Sequence, residues 1–186
     1  MYRYNDGLQT PRLTTRYLTQ ADAPAWEAFL AHPIAGRFAT DDKSIPLAQR
    51  AENWIGFCLK RYAEQRYGLQ ALIEKETGAL VGQCGLILQD VGGIGEIEIG
   101  YHLLPQYWGK GYATEAARAF RNYGFETGVA PSIISLIHPD NHPSKQVARR
   151  NGMTYRETTT AFRNYPCEVY RITREEWLQL EEGDLL

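Results

Sequence analysis

Two periodicities run along this chain, and their order sketches an architecture. Apolar residues Leu47, Ala51, Trp54, Ile55, Cys58, Leu59 and Tyr62 recur at the three-to-four spacing of one helix face. They predict a helix over about 46–65, opened by Pro46, which suits a first turn. A shorter helix is expected after Thr19, an N-cap with Asp22 three residues on, presenting Trp26, Phe29 and Leu30. Ala113, Ala116, Ala117, Phe120 and Gly124 mark another, starting near Thr114 with Gly128 as its stop. A short helix follows at 144–150 and ends at Asn151-Gly152. The last begins at Thr173, where Glu176 completes a capping box.

Strands are expected at 12–18, 69–74, 79–88, 96–104, 133–137, 154–161 and 168–172. The second and third form a hairpin through Thr77-Gly78, and 91–95 reads as a flexible connection. Strand 96–104 is the most informative. Ile97, Ile99, Tyr101 and Leu103 form a core face; Glu96, Glu98, Gly100 and His102 form the other. That second face is too polar for a core, and its glycine lets something approach the backbone closely. Helices and strands alternate only in part, so a mixed α/β (α+β) sheet of about seven strands is expected, not a fully doubly wound one. Residues 1–10 read as a loose leader, 11–181 as a single domain and 182–186 as a tail.

Composition narrows the function. At 186 residues with a net charge of −2, the chain suits one folded domain and lacks the basic excess of a nucleic-acid binder. Cys58, Cys84 and Cys167 are odd in number and far apart, so neither a disulfide framework nor a thiolate zinc site is suggested. His138 and His142 are four apart, but Pro139 and Pro143 interrupt any helix that would align them, and no metal is expected. The first ten residues lack an apolar signal-type stretch and no run reaches membrane-spanning length, so a cytoplasmic protein without membrane contact is expected.

The chemistry concentrates at Gln106-Tyr107-Trp108-Gly109-Lys110-Gly111-Tyr112-Ala113, between a strand and a helix. Two glycines let the backbone turn its N–H groups toward one point, and the helix adds its unpaired N–H groups and positive dipole end. Such a loop cradles a pyrophosphate. A P-loop is excluded because Gly111 follows Lys110, and a dinucleotide fingerprint because Thr114 stands where a third glycine belongs. On the loop alone, an ordinary glycine-rich turn remains open.

The wider segment, from Glu98-Ile99-Gly100-Tyr101 through Gly109-Lys110-Gly111-Tyr112-Ala113-Thr114-Glu115-Ala116, resembles the acetyl-CoA motif of the GNAT superfamily of N-acetyltransferases, in its RimJ/RimL-type form. Three further segments match that branch in order: Thr10-Pro11-Arg12-Leu13; Asn141 and Ser144 with Asn151-Gly152-Met153; and the run from Tyr170 to Trp177. The resemblance implies a sheet splayed between its fourth and fifth strands, with acetyl-CoA in the gap. Backbone groups of Leu103 and Leu104 would pair with the pantetheine arm. Gln106, Trp108, Gly109, Lys110, Gly111, Tyr112, Ala113 and Thr114 would cradle the pyrophosphate. Asn141 would bond the pantetheine, and Ser144 would sit near the sulfur.

Acetyl transfer to an amine needs a neutral amine, a polarised carbonyl and a stabilised thiolate. Glu98 is the first candidate for the base and Glu96 the second; the bland alternative for each is a solvated or ion-paired sheet carboxylate. Many GNAT enzymes carry a tyrosine acid seven residues after the asparagine, but that position is Ala148 here. Ser144 is then the candidate donor to sulfur, unless it merely caps its helix. His102 could relay a proton, Tyr165 and Cys167 should border the acceptor site, and Trp26, Trp54 and Phe57 read as core or pocket wall. The implied acceptor is a primary amine, either a protein N-terminus or a small molecule, on a monomer or homodimer. A rival reading is a non-catalytic acyl-CoA sensor on the same fold.

Overall fold

The computed structural model describes residues 5–183. Its strands are β1 (Leu13–Arg16), β2 (Gln70–Glu74), β3 (Leu80–Val91), β4 (Ile94–Leu103), β5 (Ser132–Ile137), β6 (Thr154–Thr159) and β7 (Cys167–Thr173). Its helices are α1 (Ala23–Ala31), α2 (Leu47–Ala63), α3 (Tyr112–Glu126), α4 (His142–Arg150) and α5 (Arg174–Gly183). The seven strands form one sheet in the order β1-β2-β3-β4-β5-β7-β6. Only the central β4–β5 pair is parallel; its neighbours on both sides are antiparallel.

Alternation along β4 divides the core in two. Ile97, Ile99 and Leu103 pack with α3 residues Ala116, Ala117 and Phe120. Trp26, Phe29, Ile55 and Cys58, from α1 and α2, pack with Leu69, Ile87 and Leu104 on the other face. The Gly100–His102 end of the even-numbered side of β4 is therefore covered, which its polarity did not suggest. Gly100 makes room for protein, not ligand: a Cβ there would lie 3.1 Å from Leu69 Cδ2.

Local chemistry sets most boundaries. Asp22 accepts from the Thr19 N–H at 2.8 Å and so fixes the turn into α1. The α5 capping box forms as expected, with Thr173 N–H to Glu176 at 2.8 Å and Glu176 N–H to Thr173 Oγ1 at 3.2 Å. Helix α4 starts two residues earlier than the sequence suggested. Asn141 is its N-cap, accepting from the Ser144 N–H at 3.3 Å, so Ser144 is relieved of the capping role.

Two expectations are corrected. Segment 91–95 is not a flexible connection: β3 and β4 pair up to Val91↔Ile94, and Gly92 and Gly93, both at positive φ, close a tight hairpin. Nor is the described part of the leader loose. Gly7 and Leu8 exchange backbone hydrogen bonds with Thr15, and Thr10 Oγ1 donates to Glu115 at 2.6 Å. Residues 1–4 lie outside the described residues. Of the expected tail 182–186, residues 182 and 183 belong to α5 and the rest lies outside the described residues.

Candidate active site

Among the described residues, β4 and β5 register at one position only, Glu98↔Ile134. Past it, side chains replace the ladder. Ser135 Oγ donates to the Ile99 carbonyl at 2.9 Å, and the Leu136 N–H approaches a Glu98 carboxylate oxygen at 3.4 Å. The two strands part from there, leaving a gap that opens toward Leu103 and Ile137.

The edge of β4 facing this gap follows from pairing. Leu104 N–H donates to Val81 of β3 at 2.9 Å, so alternation turns the main-chain groups of Tyr101 and Leu103 toward β5. Of the two residues expected to meet a pantetheine arm, only Leu103 is on the open edge. The Leu104 N–H and carbonyl are engaged by Val81 and Tyr107. The Leu103 carbonyl accepts from Trp108 Nε1 at 2.7 Å, which holds that indole, itself partly exposed, across the mouth of the gap.

At this mouth the loop turns into α3. Gly109 and Gly111 adopt φ of +77° and +83°, and Gly111 is the N-cap of the helix. Those values are costly for any residue with a Cβ. The first-turn N–H groups of Tyr112, Ala113 and Thr114 lie at the positive end of a fifteen-residue helix. Gln106, Lys110 and Trp108 are exposed on the same loop. Arg12 clamps the loop from β1's approach: it donates to the Lys110 carbonyl at 2.9 Å, pairs with Glu115 at 2.7 Å, and stacks its guanidinium over Tyr112 at 4.5 Å. Tyr112 in turn donates its hydroxyl to Glu74. Arg12 was legible in the sequence only as part of an opening strand, because its partners lie about a hundred residues away.

The two carboxylates of β4 divide sharply. Glu96 is gripped by Arg171, with contacts of 2.7 and 3.1 Å to its two oxygens. Glu98 is half-buried at the point where the strands part, with Gln89 Nε2 donating to it at 2.7 Å. Burial pushes its pKa above the usual carboxylate range, against the hydrogen bonds from Gln89 and Leu136. Ser144 stands on the opposite face of the sheet. Its Oγ donates to the Tyr101 hydroxyl at 3.1 Å, and that hydroxyl donates to the Ser144 carbonyl at 2.8 Å. Alternation had put Tyr101 on the core face and left it there. The missed signal was that a phenol turned inward needs a partner for its O–H. Ala148, where a tyrosine acid would sit, is fully buried in the core and offers no acid.

His102 is enclosed edge-on by Trp26, Phe29 and Trp54, with ring centroids 5.2–5.8 Å away. Burial pushes its pKa down to about 4. The folded protein thus holds it neutral where the unfolded chain, near about 6.5, takes up a proton. Stability from this group is complete above pH about 6.5 and is lost as pH falls through about 4. Acid titration of the melting temperature should show that decline, and His102→Asn should remove it from this window. An unchanged profile in the variant would place the acid-sensitive group elsewhere.

The Tyr165 ring lies tilted against His138 with centroids 5.2 Å apart, and Phe38 meets the same histidine at 5.1 Å. Cys167 is buried beside Glu98, and burial pushes its thiol up to about 11, with the Glu98 charge adding to the shift. Among the described residues no cluster of three His, Cys, Asp or Glu side chains could hold a metal, and no helix is long and apolar enough to cross a membrane.

Comparison with known proteins agrees with this architecture. The family described as the acetyltransferase (GNAT) domain matches residues 12–154. The uncharacterized N-acetyltransferase p20 of Bacillus licheniformis is 31% identical over 137 residues, 74% of this chain and 76% of that protein. The crystal structure of an acetyltransferase from Agrobacterium tumefaciens str. C58 superposes with a TM-score of 0.75 at 31% identity, covering 92% of this chain and 96% of the other. The coenzyme A complex of RimL, a ribosomal L7/L12 α-N-protein acetyltransferase, shares the fold at a TM-score of 0.71 and 14% identity, over 91% and 98% of the two chains. The chain belongs to the GNAT acetyltransferase family.

Proposed function

We propose that this protein transfers the acetyl group of acetyl-CoA to a primary amine by direct attack in a ternary complex. One observation carries the reading. Where β4 and β5 part, the Glu98 carboxylate stands on one face of the sheet and the Tyr101–Ser144 hydroxyl pair on the other, and the same strand leads into the two-glycine loop. An amine and a leaving sulfur occupy different sides of the carbonyl they exchange, so two faces of one gap suit them.

Glu98 is the base in this reading. An amine is largely charged at neutral pH, and a carboxylate whose pKa burial has raised is better matched to accept its proton. Glu96, neutralised by Arg171, instead ties β4 to β7. As the nitrogen bonds to the acetyl carbon, the carbon–sulfur bond breaks and its electron pair passes to sulfur. Ser144 is the hydroxyl placed to meet that charge. Leu103 offers its main-chain N–H to the pantetheine arm, its carbonyl being held by Trp108, and Gly109, Gly111 and the first turn of α3 hold the pyrophosphate. Asn141 places Ser144 through its cap, and its side-chain amide is left for the pantetheine. The RimJ/RimL-type motif suggests a protein N-terminus as acceptor and equally covers small amines, so both classes are to be screened.

Acetyl-CoA should protect the protein against heat, because a ligand bound only by the native state stabilises it by mass action. At a concentration a hundredfold above the dissociation constant the gain is about 2.7 kcal/mol. A melting temperature unmoved by millimolar acetyl-CoA would remove the cofactor from this account.

A further inference from the structure

We infer that Tyr101 is a positioning residue for Ser144, a second hydroxyl that turns the serine proton toward the departing sulfur. The inference rests on the transfer reading above and extends it to a residue of β4. Two hydrogen bonds define the resting pair: Ser144 Oγ–H points at the Tyr101 oxygen, and Tyr101 O–H points at the Ser144 carbonyl. A serine hydroxyl has one proton, so in this arrangement the proton faces away from any ligand. To meet a thiolate it must rotate, which leaves Oγ needing a donor of its own. The Tyr101 O–H is already 3.1 Å from Oγ and can supply that bond by swinging off the carbonyl.

Only hydroxyl hydrogens move in this exchange. The heavy atoms are held from several sides. Asn141 fixes the Ser144 N–H at 3.3 Å, and Tyr101 lies on the β4 edge beyond the last ladder position, below the Ser135–Ile99 bridge. The resulting chain, Tyr101 O–H to Ser144 Oγ–H to sulfur, polarises the serine hydroxyl more than a lone serine would be. It transfers no proton. The electron pair of the broken carbon–sulfur bond stays on sulfur, Glu98 takes the ammonium proton before attack, the proton that nitrogen sheds as the amide forms passes to water, and coenzyme A leaves as a thiolate that water protonates. Burial raises the Tyr101 pKa, which disfavours a tyrosinate and agrees with a chain that donates hydrogen bonds only.

The test is the ionisation of coenzyme A itself when bound, followed through the ultraviolet absorbance of the thiolate, in the parent, Tyr101→Phe, Ser144→Ala and the double variant. The parent should bind the thiol with a pKa below that of free coenzyme A. Tyr101→Phe should raise it by about one unit, a tenfold change in thiolate fraction. In the Ser144→Ala background the same change should add nothing, because Tyr101 acts through the serine. With an accepted amine, the maximal rate should fall about tenfold while the Michaelis constant for acetyl-CoA stays within about twofold. Additive shifts in the double variant, or a parent-like thiol in Tyr101→Phe of unchanged melting temperature, would overturn the inference. If coenzyme A binds but no amine is acetylated, the transfer reading falls, and the thiol titration still decides on Tyr101. If coenzyme A does not bind, both fall.

Discussion

Glu98→Gln should cut the maximal rate most strongly near neutral pH, by about a hundredfold or more with a good amine acceptor, and progressively less as the pH rises. The reason is the division of labour at the gap. At neutral pH most of the amine carries a proton that Glu98 must remove; at high pH solvent has removed it already. Glutamine preserves shape, and its one amide oxygen can keep the shorter bond from Gln89, while its NH2 replaces the oxygen that the Leu136 N–H approaches at 3.4 Å. The variant should therefore fold. It should even gain stability at neutral pH. The folded-state pKa of Glu98 is raised, so its contribution is fullest below the unfolded value and declines as pH climbs through the folded one. Replacing it removes that loss, and the advantage should vanish below pH about 4. Glu96→Gln should behave oppositely, losing stability through the orphaned Arg171 while keeping the shape of the rate profile. A neutral-pH loss in Glu96→Gln with a parent-like Glu98→Gln would reverse the two roles.

The second large effect is expected at Gly111. Its φ of +83° is unfavourable for a β-branched residue, and an added Cβ would lie 3.4 Å from Arg12 Nη2, against the clamp that shapes the loop. Gly111→Val should raise the Michaelis constant for acetyl-CoA at least about tenfold, or about 1.4 kcal/mol of binding if that constant tracks affinity. Gly128→Val is the control. That residue has φ +69° with open space around it, just past the C-terminal end of α3, a helix length from the cradle. Both variants carry the cost of a left-handed backbone; only Gly111→Val should change acetyl-CoA kinetics. Equal effects from both would mean that strain alone, not phosphate contact, is being measured.

What could be read from the sequence is what local periodicity controls. The stripe from Leu47 to Tyr62 became α2, with Ala51, Ile55 and Cys58 buried. Alternation along β4 placed Glu98 and Glu96 on one face, and the two-glycine loop fell between strand and helix as expected. Alternation could not rank the carboxylates, because the difference is Arg171, which reaches Glu96 from β7 across 75 residues of chain. It also gave Gly100 the wrong visitor, since only the folded chain brings Leu69 over it. The role of Tyr101 depended on a serine 43 residues away on α4. The Gly92-Gly93 hairpin is a different case: the signal was local, two adjacent glycines between strand-like runs, and it was read as slack instead of as a turn.

The measurement closest to the central claim is amine-dependent release of coenzyme A from acetyl-CoA, followed by thiol detection across a panel of peptide N-termini and small amines. Mass spectrometry of the products should accompany it. The account predicts at least one amine that gives thiol release above the hydrolysis background, one acetylated product for each coenzyme A released, and loss of both in Glu98→Gln near neutral pH. Tight binding of acetyl-CoA with no amine-dependent release from any member of the panel would contradict it, and would mark the protein as an acyl-CoA sensor on a transferase fold.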